Sequence, residues 1–154
     1  MSLNVDITAP PAPSAAPMTL APVEQVRKLV TAIPGPASQA RHSHRTSVLS
    51  AGLGTVLPVF IERGGGGILV DVDGNHLIDL ASGIAVTTVG ASAPAVVHRV
   101  QEQVAKLTHT CFLVTEYDGY VEVCDTLNRL APGDQPKKSA LFSTGSEAVE
   151  NAVK

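Results

Sequence analysis

The residues best placed to do chemistry stand together near the C-terminal end, in the run Ser143-Thr-Gly-Ser-Glu-Ala-Val-Glu-Asn-Ala-Val-Lys154. Thr144 followed three residues later by Glu147 has the spacing of a capping box, in which each side chain satisfies a backbone N–H that the first turn of a helix leaves free. Gly145 permits a sharp bend and admits another group where a Cβ would otherwise stand. The next N–H groups point out of the helix start, at the positive end of its dipole, so the turn is shaped to receive an anion such as phosphate. Ser146 adds a hydroxyl donor, and Glu150 with Lys154 forms an i,i+4 pair on the outer face. Small residues behind a Ser/Thr cap also open many helices that bind nothing, so the flanking sequence has to decide.

Other groupings of reactive side chains carry less. His42 and His44 lie two residues apart in a stretch with helical character, where positions two apart do not face each other, so they read as solvated rather than as metal ligands. Asp71, Asp73 and Asn75 copy the opening of a calcium loop, but His76 occupies the place of its glycine and Ser82 that of its closing glutamate. Gly64 to Gly67 are not followed by Gly-Lys-Ser/Thr or by a helix, and read as a flexible hairpin connection rather than a phosphate loop. Cys111 and Cys124 make no CxxC pair and read as two reduced, buried thiols of a cytoplasmic protein, with no metal site.

The elements that must position these residues follow from pattern. Residues 1–22, with Pro10, Pro11, Pro13, Pro17 and Pro22 among alanines, read as a disordered leader without a signal peptide's apolar core. Val23 to Val30 form a short segment that the stiff turn Ile33-Pro34-Gly35-Pro36 stops, and a basic helix is expected from Ser38 as cap to about Ala51, with Gly52 at its end. Strands are expected over Leu57–Ile61, Ile68–Val72 and His76–Leu80, with Asp73-Gly74 as the hairpin turn between the last two. The apolar, small-residue run Ser82–Gly90 reads first as a buried loop packed on backbone and second as a loop lining a pocket. Pro94 opens a helix with the stripe Val96, Val97, Val100, Val104 and Leu107. A second helix from Tyr117 to Leu130 presents Tyr117, Tyr120, Val121, Cys124 and Leu127, with core packing expected for both tyrosines. After the turn Pro132-Gly133-Asp134, the run Ala140-Leu141-Phe142 is expected as a strand feeding the Thr144 turn. With 11 basic against 14 acidic residues, the net charge of −3 builds no field for nucleic acid or an anionic membrane, and neither is expected as a partner.

Taken in order, these motifs resemble the class III pyridoxal-phosphate-dependent aminotransferases. The resemblance is carried by Ile33-Pro-Gly-Pro36, Asp73-Gly-Asn75 with Ile78-Asp-Leu80, Ser82-Gly-Ile-Ala-Val86, His109-Thr-Cys-Phe112, Pro132-Gly-Asp134 and the run from Ser143 to Lys154. It covers residues 24–154 and is strongest toward members that use 4-aminobutyrate. It implies an α/β fold with an incomplete sheet: residues 1–22 a leader, 23–93 an N-terminal helix and β-hairpin segment, and 94–154 the start of a fold-type I large domain. Gly145 and Ser146 match the pair that holds the phosphate of pyridoxal 5′-phosphate, and Ile84 matches a residue lining the amino-substrate pocket. Ala91-Ser92-Ala93-Pro94 departs from the Gly-His-x-His-Pro run of many relatives, so no role of those histidines carries over.

The activity the resemblance implies is transfer of an amino group from 4-aminobutyrate to 2-oxoglutarate, giving succinate semialdehyde and glutamate, by a cytoplasmic homodimer or higher oligomer. The Schiff-base lysine, the aspartate facing the pyridine nitrogen and the carboxylate-binding arginine of the family lie beyond the phosphate turn, and none matches a residue here. Lys28, Lys106, Lys137, Lys138 and Lys154 match surface or helix positions, so no catalytic residue is assigned. The expectation is an N-terminal fragment, inactive alone, whose two amphipathic helices are partly uncovered. Two other readings stand beside it: an aminotransferase of the same class for ornithine, acetylornithine or 5-aminovalerate, and a non-catalytic phosphate-binding or interaction module.

Overall fold

The computed structural model describes residues 21–154. The leader expected over residues 1–22 therefore lies, up to residue 20, outside the described residues. The chain divides into two compact units, the first ending at Arg99 and the second beginning at Val100.

The first unit is built on a three-stranded antiparallel sheet of order β1-β2-β3, with β1 at Ile61–Gly65, β2 at Ile68–Asp71 and β3 at His76–Ile78. β1 falls later than the expected Leu57–Ile61. A strand extends only where its neighbour offers partners, and β2 pairs with Ile61 and then, past a bulge, with Arg63 to Gly65. Asp73 and Gly74 turn β2 into β3 as the sequence implies, with Gly74 at φ 84°. Ile68 and Val70 are the buried hydrophobic side chains among the described residues, on one face of β2.

The polar residues of this turn form the unit's other centre. Asp71 and Asn75 are fully buried. Asp71 Oδ1 accepts from the N–H groups of Asp73 (2.9 Å) and Asn75 (2.8 Å), and Asn75 Nδ2 donates to Asp71 Oδ2 at 2.8 Å. Asn75 then reaches the N-terminal segment: its Oδ1 accepts from Val30 N and Thr31 N, and its Nδ2 donates to Thr31 Oγ1. These groups satisfy one another within the protein, which is why the calcium-like spacing leads to a structural turn.

Helix α1 runs over Pro36–Val48, earlier than Ser38–Ala51, and Ser38 is not its cap. The N-cap position is Gly35, which has no side chain to offer, and the Asp73 carboxylate supplies the cap instead. Ala37 N donates to Asp73 Oδ1 at 2.7 Å and Ser38 N to Oδ2 at 2.9 Å. A Cβ on Gly35 would stand 2.3 Å from Asp73 Cγ, so the glycine makes room for the carboxylate. Desolvation pushes the Asp73 carboxyl up, but the Ser38 hydroxyl, the Ala37 and Ser38 N–H groups and the Arg41 guanidinium together outweigh it and leave it below the ordinary aspartate range. Ser38, fully buried within α1, also accepts from Phe60 N at 3.3 Å.

Past the sheet, the short helical turn α2, Ser82–Ala85, opens the Ser82–Gly90 segment. The segment is not buried as its apolar composition suggests: Ile84 is 90% exposed, and Val86 and Val89 are exposed too. No described element covers them. Helix α3, Pro94–Lys106, spans the boundary between the units.

In the second unit, Val100, Val104 and Leu107 are exposed, as are Val121 and Leu127 of α4, Asp118–Leu130. The tyrosines pack: the Phe112 ring stacks on Tyr120 with centroids 4.4 Å apart and meets Tyr117 edge-on at 5.3 Å. Tyr120 does more than fill space, since its hydroxyl accepts from Leu141 N at 2.9 Å. Residues 140–142 form no strand, because a strand needs a paired neighbour and the second unit offers none among the described residues. Cys124 is half-buried and Cys111 exposed, both free, so the expectation of two buried thiols fails.

Candidate functional site

The last helix, α5, is Gly145–Val153 and begins where the motif places it. Thr144 is extended, with φ −134° and ψ 154°, which turns its side chain back onto the helix start. Both halves of the capping box form: Glu147 N donates to Thr144 Oγ1 at 3.1 Å, and Thr144 N donates to Glu147 Oε2 at 2.8 Å. Ala148 N closes the first helical bond to Thr144 O at 3.2 Å. The N–H groups of Gly145 and Ser146 have no acceptor among the described residues.

Gly145 is not at positive φ, so the bend does not require glycine. A Cβ there would meet nothing within 4 Å, so a larger side chain has room at this position. Two N–H groups without an acceptor at the positive end of a helix dipole suit an anion such as a phosphate group. The Glu147 carboxylate is turned away into its bond with Thr144 N, and Lys154 pairs with Glu150 at 2.7 Å at the far end.

Ile84 belongs to the other unit. It sits in the left-handed region, φ 62° and ψ 61°, between Gly83 at φ 64° and Ala85 at φ 61°, so its side chain stands clear of the chain on either side. Its loop is fastened at both ends to one turn. Ala91 and Gly66 exchange two backbone bonds of 2.9 Å, and Asp79 N donates to Gly67 O at 2.9 Å. Asp79 Oδ1 accepts from Ala81 N and Ser82 N, at 3.2 and 2.8 Å. Gln25 grips the same turn from the other side, donating to Gly65 O (2.8 Å) and accepting from Gly67 N (3.1 Å). A cavity of about 630 Å³ runs beside it, lined in part by Gln25, Arg63, Gly65, Val89, Ala91 and Pro94. Gly64 and Gly65 end β1 and Gly66-Gly67 join it to β2, so the glycines make the hairpin connection expected, but one held in place rather than flexible. Their crowding is a visible signal for close backbone approach, but Gln25 and Asp79 carry none.

Of the histidines read as solvated, His44 is exposed while His42 is half-buried, with a buried Nδ1 that has no partner; His76 Nδ1 is in the same state. No group of three metal-ligating side chains occurs among the described residues, and no helix there is long and apolar enough to cross a membrane.

A model of the class III aminotransferase family matches residues 50–154. The 4-aminobutyrate aminotransferase of Mycobacterium tuberculosis is 62% identical over 135 residues, 88% of this chain and 30% of the relative. The 5-aminovalerate aminotransferase DavT of Pseudomonas putida is 49% identical over 110 residues, 71% of this chain and 26% of its own. Among solved structures, acetylornithine aminotransferase from Elizabethkingia anophelis superposes with a TM-score of 0.67 at 27% identity, over 76% of this chain and 29% of that one. The chain belongs to the class III aminotransferases, a family of pyridoxal-phosphate-dependent transaminases. It spans between 21% and 30% of the length of these curated relatives.

Proposed function

We propose that this chain is the N-terminal part of a 4-aminobutyrate aminotransferase, with 2-oxoglutarate as amino acceptor and cytoplasmic oligomers as the working form. The observation that supports the cofactor half of this reading is the pair of N–H groups at Gly145 and Ser146, without an acceptor among the described residues, at the start of α5. The choice of amino donor rests on the 62% identity to relatives that bear that name. When bound, pyridoxal phosphate supplies the electron-withdrawing ring on which amino groups are exchanged. The residues here have the binding half of the work. Gly145 N–H and Ser146 N–H, with the Ser146 hydroxyl, hold the phosphate, and Thr144 with Glu147 fixes the helix start so that those donors point outward. Ile84 offers an apolar surface to the carbon chain of the donor. Residues 94–154 are read as the start of the cofactor-binding domain, and the uncovered stripes of α3 and α4 as faces that further chain packs against.

The test joins this chain to the rest of the Mycobacterium tuberculosis enzyme in place of its matching segment. Glutamate formation from 2-oxoglutarate is followed with 4-aminobutyrate, 5-aminovalerate, ornithine and acetylornithine as donors. The highest kcat/KM is expected with 4-aminobutyrate; a higher value with any of the others overturns the donor assignment. The 154-residue chain alone is expected to give no turnover and no specific borohydride-trapped cofactor adduct.

A further inference from the structure

The exposed segment that carries Ile84 does not pack against a core, yet its backbone is strongly constrained. Ser82, Gly83, Ile84 and Ala85 all lie at positive φ, and such a run persists only where its ends are held. Both ends are held by two adjacent residues: Gly67 O takes the Asp79 N–H before the loop, and Gly66 pairs twice with Ala91 after it. The contact needs glycine on both sides. A Cβ on Gly90, at φ 91°, would stand 3.0 Å from Gly66 Cα, and a Cβ on Gly66, at φ 56°, would stand 2.5 Å from Gln25 Oε1. Gln25 in turn ties the turn to the N-terminal segment through Gly65 O, Gly67 N and its own bond to Val23 O at 2.9 Å.

We propose that Gln25, Gly66 and Gly90 are positioning residues that set the discrimination between amino donors, by fixing the turn to which the Ile84 loop is clamped. The inference rests on the reading of Ile84 as a donor-pocket residue, and it adds that Ile84 is aimed from a turn far from it in sequence. Apolar contact along a substrate chain discriminates by roughly tenfold or more per methylene, so a small displacement of Ile84 changes the ratio between donors that differ by one methylene. A merely stabilising role lowers activity toward both donors alike.

Two measurements test this. In the chain itself, Gln25→Ala is expected to speed amide exchange at Asp79, Ala91 and the residues between them while the β2–β3 ladder keeps its protection; unchanged exchange at Asp79 and Ala91 overturns the clamp. In the chimera, Gln25→Ala, Gly90→Ala and Ile84→Ala are each expected to shift the ratio of kcat/KM for 4-aminobutyrate to that for 5-aminovalerate by about fivefold, in the same direction. Gln25→Ala combined with Ile84→Ala is expected to shift it no further than Ile84→Ala does. If Gly90→Ala does not fold, Gln25→Ala, an exposed side chain, still decides the matter. A ratio unchanged by Gln25→Ala in an active chimera overturns the positioning role and leaves the functional reading standing; an inactive unsubstituted chimera removes the functional reading and this inference with it.

Discussion

Replacing Asn75 with alanine tests whether the buried turn network, rather than apolar packing, holds the first unit together. The side chain makes four hydrogen bonds, to Val30 N, Thr31 N, Thr31 Oγ1 and Asp71 Oδ2, all between 2.8 and 2.9 Å. At about 1 kcal/mol net for each, their loss sums to about 4 kcal/mol. The partners around Val30 and Thr31 are only part-buried, so water takes over some of the loss, and about 3 kcal/mol is expected. With Ile68 and Val70 as the buried apolar side chains, little else compensates. The assay is amide hydrogen exchange at Asp71, bonded to Asn75 O, and at His76, bonded to Lys28 O. A loss of about 3 kcal/mol accelerates exchange that follows the opening equilibrium there by roughly 100-fold. Asn128→Ala serves as control, since Asn128 Oδ1 accepts a single bond from Ser139 Oγ in the other unit. Acceleration by Asn75→Ala no greater than that of the control refutes the reasoning.

Asp73→Asn is expected to loosen α1 selectively, read as faster exchange of the Ala37 and Ser38 amides. The folded Asp73 carboxyl is held below its ordinary value, so its contribution is complete above the ordinary aspartate range, declines as pH falls through that range, and is gone below the lowered folded value. α1 of the parent should therefore loosen as the pH falls through and below the ordinary aspartate range, with the Asp73→Asn protein lacking that component. Thr144→Ala removes the acceptor for Glu147 N and should cost α5 about 1 kcal/mol, seen as fraying in the chemical shifts of residues 145–148. Gly145→Val has room in the chain and should leave its folding unchanged while the active chimera loses cofactor retention, measured by equilibrium dialysis against pyridoxal phosphate. Val104→Glu together with Leu127→Lys should reduce self-association in light scattering, because both parent side chains are exposed on apolar stripes.

Features legible in the sequence were those whose partners lie within a few residues. The capping box of Thr144 and Glu147, the Asp73-Gly74 turn and the Glu150–Lys154 pair depend on short spacings and appear as read. The cap of α1 was not legible, because the donor groups at 37 and 38 meet a carboxylate at 73 that only the folded hairpin brings near. β1 moved toward the glycines because its register is set by β2, and residues 140–142 formed no strand because no neighbour pairs with them. The glycine run was visible, yet its role depends on Ala91 and Gln25, far away in sequence on either side.

The fastening of residues 79 and 91 to a single turn has a consequence for how such a protein changes over generations. A loop closed at its base pays little for added length, about 0.6 kcal/mol for each doubling. Thr87 and Thr88 make no backbone hydrogen bond to the sheet, so insertions and deletions there leave the sheet's hydrogen-bonded frame intact. The segment is an exchangeable cassette: its length and sequence can drift while the hairpin beneath it stays as it is.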